Sequence, residues 1–324
     1  MRQIVLIVYP GFELLDLSGP TAVFNNANRA LVERGLAPFY AMTVASARGG
    51  PVESSSGISV ETRRLATLVP GQTHMVVVVG AERPHLLTAM ADAELSTTLP
   101  PLVENAERFG SVCSGGFILA ALGLLNRRRV ATHWDSCAQL ARAFPKVIVD
   151  SDALYVVDGR CWTSAGVTTG IDMALAMVSV DLDAAIAGEV AKRLVLYARR
   201  PGYQSQFSSV LQAQTRAESP FAELIEWLLS HLDKTLDVPR LAERAGMTER
   251  SFHRKFVAAT GITPARFVEI ARLDMARMLL SRGLPLKEIA DKVGLYPTAR
   301  LTEVFERRFG IKPKLFRELH SGTG

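Results

Sequence analysis

The chain opens with an unbroken apolar run, "IVLIVY" (4–9), and three more follow: "MVVVVG" (75–80), "VIVD" (147–150) and "LYVVDG" (154–159). Each is short and rich in β-branched residues, the mark of a strand buried on both faces. Between several of them, apolar residues recur three and four apart, as in "GPTAVFNNANRALVERG" (19–35) and "GIDMALAMVSV" (170–180), which predicts helices. Strands alternating with helices predict an α/β fold: a doubly wound, mostly parallel sheet covered on both faces. "DAAIAGEVAKRLVLYARR" (183–200) reads as one long amphipathic helix, and after it the pattern stops. "PGYQSQFSSVLQAQTRAESP" (201–220) carries Pro, Gly, Gln and Ser without sustained period and reads as a linker. The predicted organisation is therefore a domain at 1–198, a linker at 199–220 and a second domain at 221–324.

Beyond Ser219 the reading is all-α. Ser219–Pro220 and Thr263–Pro264 each set a capping hydroxyl before a proline suited to the first helical position. This last third also repeats itself. "LAERAG" (241–246) falls on "IADKVG" (289–294), and Phe252, Phe256, Gly261, Pro264 and Phe267 fall 49 residues before Leu301, Phe305, Gly310, Pro313 and Phe316. Each copy reads as a short helix, a Gly-containing turn and a second helix, a helix-turn-helix. In the first copy Thr248 caps the second helix, whose Phe252 and Phe256 face inward. Arg250, Ser251, His253, Arg254 and Lys255 then face outward. "PARFVEIARLDMARMLLSRG" (264–283) has the length and period of a helix joining the copies.

Charge sharpens this picture once it is divided. Residues 221–324 hold 18 Lys and Arg against 13 Asp and Glu, whereas residues 1–220 hold 19 of each, so the whole excess of +5 lies in the helical third. That asymmetry points to nucleic acid. Other totals mostly exclude. With 48% hydrophobic and 21% charged residues over 324 positions, each part has the material for a core. No apolar run approaches the ~18 residues of a bilayer span, so no membrane partner is expected. "MRQIVLIVYPG" is too short in its apolar part for a signal h-region and reads as a first strand. The three cysteines (Cys113, Cys137, Cys161) lack metal-ligand spacing, which predicts no metal, no disulfide framework and a reducing, cytoplasmic setting.

One segment carries candidate chemistry. "FGSVCSGGFILAALG" (109–123) delivers Cys113 from an apolar run into Ser114, Gly115, Gly116 and a helix-like stretch. A strand–Cys–Gly–helix segment of this kind is a nucleophile elbow, where the following helix N-terminus lowers the thiol pKa and offers N–H donors. The alternative is a buried cysteine packed as a small hydrophobe.

Two resemblances bear on these motifs. "PGFELLDLSGP" (10–20), "SVCSGGFILAALGLL" (111–125), "ATHW" (131–134) and "TSAGVTTGIDMALAMV" (163–178) occur in that order. Together they resemble the ThiJ/PfpI family of the class I glutamine-amidotransferase-like superfamily, which implies a flavodoxin-like sheet over about 3–195. The resemblance implies an acid beside the cysteine, matched by Asp16, a histidine near the elbow, matched by His133, and an oxyanion loop, matched by Gly80–Ala81. Proteolytic members carry His directly after Cys; here Ser114 stands there, as a hydroxyl does in relatives resembling isocyanide hydratases. The implied ligand pocket comprises Asp16, Gly80, Cys113, Ser114 and His133.

The repeat over about 230–320, above all "FERRFGIKPKLFREL" (305–319), resembles the DNA-binding domain of AraC/XylS-type regulators. That implies base-edge contacts from Arg250 and Arg254, with His253 adjacent, and from Thr298, Ala299 and Glu303 in the second copy. Arg suits guanine and Glu accepts from cytosine N4. Lys255, Arg300, Arg307, Arg308, Lys312 and Lys314 are the matching phosphate contacts. The second copy departs from the family at Leu295, where Phe is usual, and at Pro297. The fusion resembles the GlxA-type branch of AraC-like regulators, including "RRPGYQSQFSS" (199–209) at the junction. It implies a homodimeric transcription activator with promoter DNA and RNA polymerase as partners, no cofactor, and a small effector such as an amino acid or quaternary amine. The alternative is a cysteine-dependent hydratase or hydrolase with an attached DNA-binding domain.

Overall fold

In a computed structural model the described residues are 1–196, 200, 202, 206, 221–260, 262–281, 283–309 and 311–320. The chain divides into two compact units, Met1–Gln206 and Phe207–Gly324.

The first unit is built on an eight-stranded sheet. Its strands are β1 (Arg2–Ile7), β2 (Tyr40–Ser46), β3 (Gly50–Glu53), β4 (Ser59–Arg64), β5 (Met75–Val78), β6 (Arg108–Val112), β9 (Tyr155–Asp158) and β10 (Cys161–Ser164). They lie in the order β3-β4-β2-β1-β5-β6-β10-β9. The six from β4 to β10 run parallel, and β3 and β9 close the two edges antiparallel. Strand alternation divides the apolar runs between two cores. Ile4, Leu6, Met75 and Val77 face α1 (Leu14–Glu33), α6 (Thr168–Asp181) and α7 (Ala184–Arg193). Val5, Ile7, Val76 and Val78 share the opposite core with residues of α2 (Arg83–Met90), α3 (Ala93–Asn105), α4 (Gly116–Ala121) and α5 (Cys137–Ala143). This is the doubly wound, mostly parallel sheet that the apolar runs predict.

Four details differ from the sequence reading. "VIVD" leaves the main sheet: β8 (Ile148–Val149) pairs only with β7 (Arg129–Val130). Helix α1 starts at Leu14, capped by Glu13, and carries Pro20 inside it against Gly170 of α6. The long helix expected over 183–200 ends at Arg193, because Leu194 closes it and Val195 follows in the left-handed region at φ +55°. The described residues of the expected linker fold back on this unit. Arg200 pairs with Asp172 at 2.6 Å, the Gly202 carbonyl accepts from Leu154 N at 2.7 Å, and the Gln206 amide donates to Thr132 O and Ala153 O at 3.0 Å each. The rest of that linker, including the Ser219–Pro220 cap, lies outside the described residues.

At the amino ends of the strands a buried ionic cluster ties the sheet to α6. Asp181 accepts from Arg108 at 2.8 Å and from the Tyr40 hydroxyl at 3.0 Å, with His74 at 3.6 Å. Burial opposes ionisation of Asp181, but His74 and Arg108 prevail and hold its carboxyl below the usual range.

The second unit is all helix: α8 (Ala222–Ser230), α9 (Val238–Arg244), α10 (Glu249–Thr260), α11 (Pro264–Ser281), α12 (Leu286–Lys292), α13 (Thr298–Phe309) and α14 (Pro313–His320). Phe252 and Phe256, four apart on α10, bury against Phe221 and, for Phe256, Phe267. Phe305 repeats the arrangement in the second copy against Phe309 and Phe316. Gly261 and Gly310 of the repeat lie outside the described residues. Thr248 and Thr263 cap as expected, accepting from Ser251 N at 3.4 Å and Arg266 N at 3.3 Å.

Candidate functional site

The elbow sits where three adjacent parallel strands end. Asp16 follows β1, Gly80 follows β5 and Cys113 follows β6, at the carboxyl ends beside the point where strand order reverses. Cys113 is held at φ +58°, a conformation rare for a side-chain-bearing residue. Three glycines make room for it. A Cβ on Gly80 would lie 2.7 Å from Cys113 Cβ, one on Gly166 would lie 2.3 Å from the same atom, and one on Gly115 would meet the Val78 carbonyl at 2.3 Å. Any larger residue at these positions would push the loops apart.

Asp16 is fully buried and accepts from Val167 N at 2.7 Å and from Gly80 N at 3.1 Å. Burial raises its carboxyl to about 6, against these two N–H donors, which lower it. The thiol behaves oppositely to expectation. Burial, then the charge of Asp16, push Cys113 well above the ordinary thiol range, and the Ser114 N–H offsets only part of this. The sequence predicts a lowered pKa from the helix terminus; desolvation beside a carboxylate outweighs it. Tyr9 lies within reach of the same cluster. Its hydroxyl donates to Val79 O at 3.0 Å, and burial, with the nearby Asp16 carboxylate, raises its pKa. Nothing in the period of "IVLIVYPG" marks Tyr9, since it continues an apolar strand.

The remaining predicted groups are engaged locally. Ser114 Oγ donates to Ala81 O at 2.7 Å and accepts from Ala81 N at 2.9 Å, pinning the elbow to the loop after β5. With Gly80 N held by Asp16, both N–H groups of the expected oxyanion loop already have acceptors. His133 lies half-buried at the start of a short 3-10 turn, its ring 5.3 Å from that of Trp134, and burial lowers its pKa. Among the described residues its ring makes no hydrogen bond to Cys113 or Asp16. The neighbour Thr132 reaches the elbow instead, donating to Cys113 O at 2.9 Å.

In the helical unit the cations fall into two groups. Several are structural. Arg244 lies 4.0 Å over the Trp227 ring, Arg277 lies 4.3 Å over Phe309, and half-buried Arg272 donates to Leu232 O and Lys234 O. Arg266 and Arg307 both pair with Glu269 of α11, so Arg307 is turned toward that helix. On the second helices Arg250, His253, Arg254 and Lys255 of α10, and Arg300 with Ala299 and Glu303 of α13, are exposed, whereas Arg308 of α13 is half-buried; Arg240 on α9 and Lys287 on α12 are exposed as well. Among the described residues Arg250, Arg254, Lys255 and Arg300 make no ion pair. Ser251 and Thr298 are half-buried at the starts of the two helices, and Lys312 and Lys314 are exposed. Each second helix therefore buries one aromatic or aliphatic stripe; the exposed face of α10 is basic, whereas that of α13 sets Arg300 beside Glu303 and Glu306.

Residues 2–180 match the DJ-1/PfpI family, and residues 241–319 match a helix-turn-helix domain. The HTH-type transcriptional regulator CdhR of Pseudomonas aeruginosa is 29% identical over 308 residues, 95% of this chain and 89% of its own length. The HTH-type transcriptional regulator GlxA of Rhizobium meliloti is 29% identical over 320 residues, 98% of this chain and 96% of its own. Among solved structures, a ThiJ/PfpI family protein from Pseudomonas syringae aligns at 27% identity with a TM-score of 0.55, covering 69% of this chain and 88% of that one. The chain belongs to the DJ-1/PfpI family and joins that family's α/β domain to an AraC-type helix-turn-helix domain.

Proposed function

We propose that the chain is a sequence-specific transcription activator, reading promoter DNA through α10 and α13 and controlled by a small effector bound beside the Cys113 elbow. The observation that carries this reading is that Arg250, Arg254 and Lys255 on α10 and Arg300 on α13 stand exposed and, among the described residues, make no ion pair, while Arg244, Arg272 and Arg277 are stacked or half-buried in the helical core. Such faces suit phosphate and base-edge contact. CdhR and GlxA, alike over nearly the whole chain, are named as transcriptional regulators. Homodimerisation and contact with RNA polymerase belong to the same reading.

Effector control is supported by the chain leaving the α/β unit. Gln206 donates to Thr132 O and Thr132 Oγ1 donates to Cys113 O, so two hydrogen bonds link the elbow to Gln206, the last described residue before 221. Hydratase or hydrolase chemistry fits less well. It needs a thiolate, a base in reach and open oxyanion donors, whereas the thiol is held protonated and the loop amides are engaged.

The test is a pair of variants on the full chain. Arg254→Ala should relax preference at one base position, costing about 1–3 kcal/mol, while Lys255→Ala should weaken all duplexes evenly and lower the salt slope by about one. Unchanged base preference in Arg254→Ala, read by competition with single-base operator variants, contradicts the assignment of α10.

A further inference from the structure

The elbow's own polar groups are turned to one another, so a ligand needs other space, and the structure provides it next door. A cleft of about 140 Å³ lies among α2, α4 and α5, reaching Ser114 and Ala81 on the elbow side but not Cys113 or Asp16. Its apolar wall is formed by Leu86, Phe117 and Phe144. Its polar groups are Arg83, Ser136 and Gln139. Among the described residues no acidic side chain lines it, and exposed Arg83 makes no ion pair.

These features select a ligand class. A cavity of about 150 Å³ holds benzene, so the cleft suits about six to eight non-hydrogen atoms. The exposed Arg83 guanidinium beside this apolar wall favours a carboxylate, which it binds through paired N–H donors, and disfavours an ammonium, which would find no counter-charge among the lining residues. The quaternary amine suggested by the sequence resemblance meets the same objection. We propose that this cleft binds a short-chain carboxylate, its anionic end on Arg83 and its aliphatic chain against Phe117, Phe144 and Leu86. The proposal rests on the effector-controlled reading and gives it a ligand class. Because Ser114 lines the cleft and also pins the elbow, an occupant there touches the residue that positions Cys113.

The experiment is calorimetric titration of the full chain with valerate, valeramide and pentylamine, three molecules alike in length and different in charge. Valerate should bind, valeramide at least tenfold more weakly, and pentylamine more weakly still. Arg83→Gln should erase the preference for valerate over valeramide. Ser136→Phe, which places a ring in the cleft, should abolish binding of all three, with a thermal melt of each variant checking that it folds. Equal binding of valerate and valeramide by the wild type overturns the proposal, as does an Arg83→Gln variant that keeps the preference, or a folded Ser136→Phe variant of unchanged affinity. The same samples, titrated with operator DNA, separate this failure from that of the broader reading. Selective DNA binding without valerate binding sinks the cleft alone. Valerate binding as described, with DNA affinity indifferent to it, supports the cleft and removes effector control.

Discussion

Cys113 sits in the left-handed region at φ +58°, and Gly80, Gly115 and Gly166 leave clear the atoms that a side chain there would strike. That enclosure has a chemical consequence: the thiol shares a dry site with the Asp16 carboxyl, and neither group can ionise freely. At neutral pH Cys113 should therefore react with iodoacetamide more slowly than free cysteine, followed by mass spectrometry of its peptide; faster alkylation would mean an activated thiolate and would favour catalysis. Asp16 also sets a pH dependence. Its carboxyl moves from 3.8 to about 6 on folding. Between those values the folded chain binds more protons than the unfolded one, so this group's contribution to stability falls as pH rises and levels off above about 6. About two units correspond to roughly 3 kcal/mol. Urea denaturation of wild type and Asp16→Asn should show the wild type losing about that much relative to the variant between pH 4 and pH 7. A pH-independent difference would contradict the burial that the geometry gives Asp16. The residues of this cluster are unevenly legible in the sequence. Cys113, Asp16 and Gly80 stand out through motifs, whereas the direction of the thiol shift depends on burial and on a carboxylate 97 residues away in sequence, which local sequence does not encode.

At the level of elements, the apolar runs of β1 and β5 announce themselves because both faces of those strands are buried. Strands β2, β3 and β4 do not, since "YAMTVAS", "GPVE" and "SVETRR" mix polar and apolar residues toward the sheet edge. The expected helix over 183–200 shows the converse error. Its period continues in the sequence, yet the chain turns at Val195 and sends Arg200 back to Asp172, a long-range ion pair that propensity does not register. In the helical unit the repeat reveals both helix-turn-helix copies because their buried aromatics recur at constant spacing. The return of Arg200, Gly202 and Gln206 to the first unit is itself open to test. Gln206→Leu removes the amide bonds to Thr132 and Ala153, and should speed amide exchange at Leu154 and Tyr155, whose N–H groups donate to Gly202. About fivefold is expected from the loss of roughly 1 kcal/mol of local stability. Unchanged exchange there would mean that Gln206 does not hold this segment.

For the whole molecule, the proposed division of labour follows the division of charge: a neutral α/β unit with a cleft, and a basic helical unit whose two second helices each present an exposed polar face. Among the described residues no helix is long and apolar enough to cross a membrane. The proposed reading is a sensor joined to a DNA-binding unit, and the DNA-binding unit is the part on which everything else depends. The most direct measurement is selection of duplexes from a random pool by the full-length protein, followed by titration of the selected and scrambled sequences across a salt series. The account predicts a selected sequence bound at least about 10³-fold more tightly than its scramble, with affinity for both falling linearly on a log–log plot against salt. Equal affinity for the two at every salt concentration would contradict it.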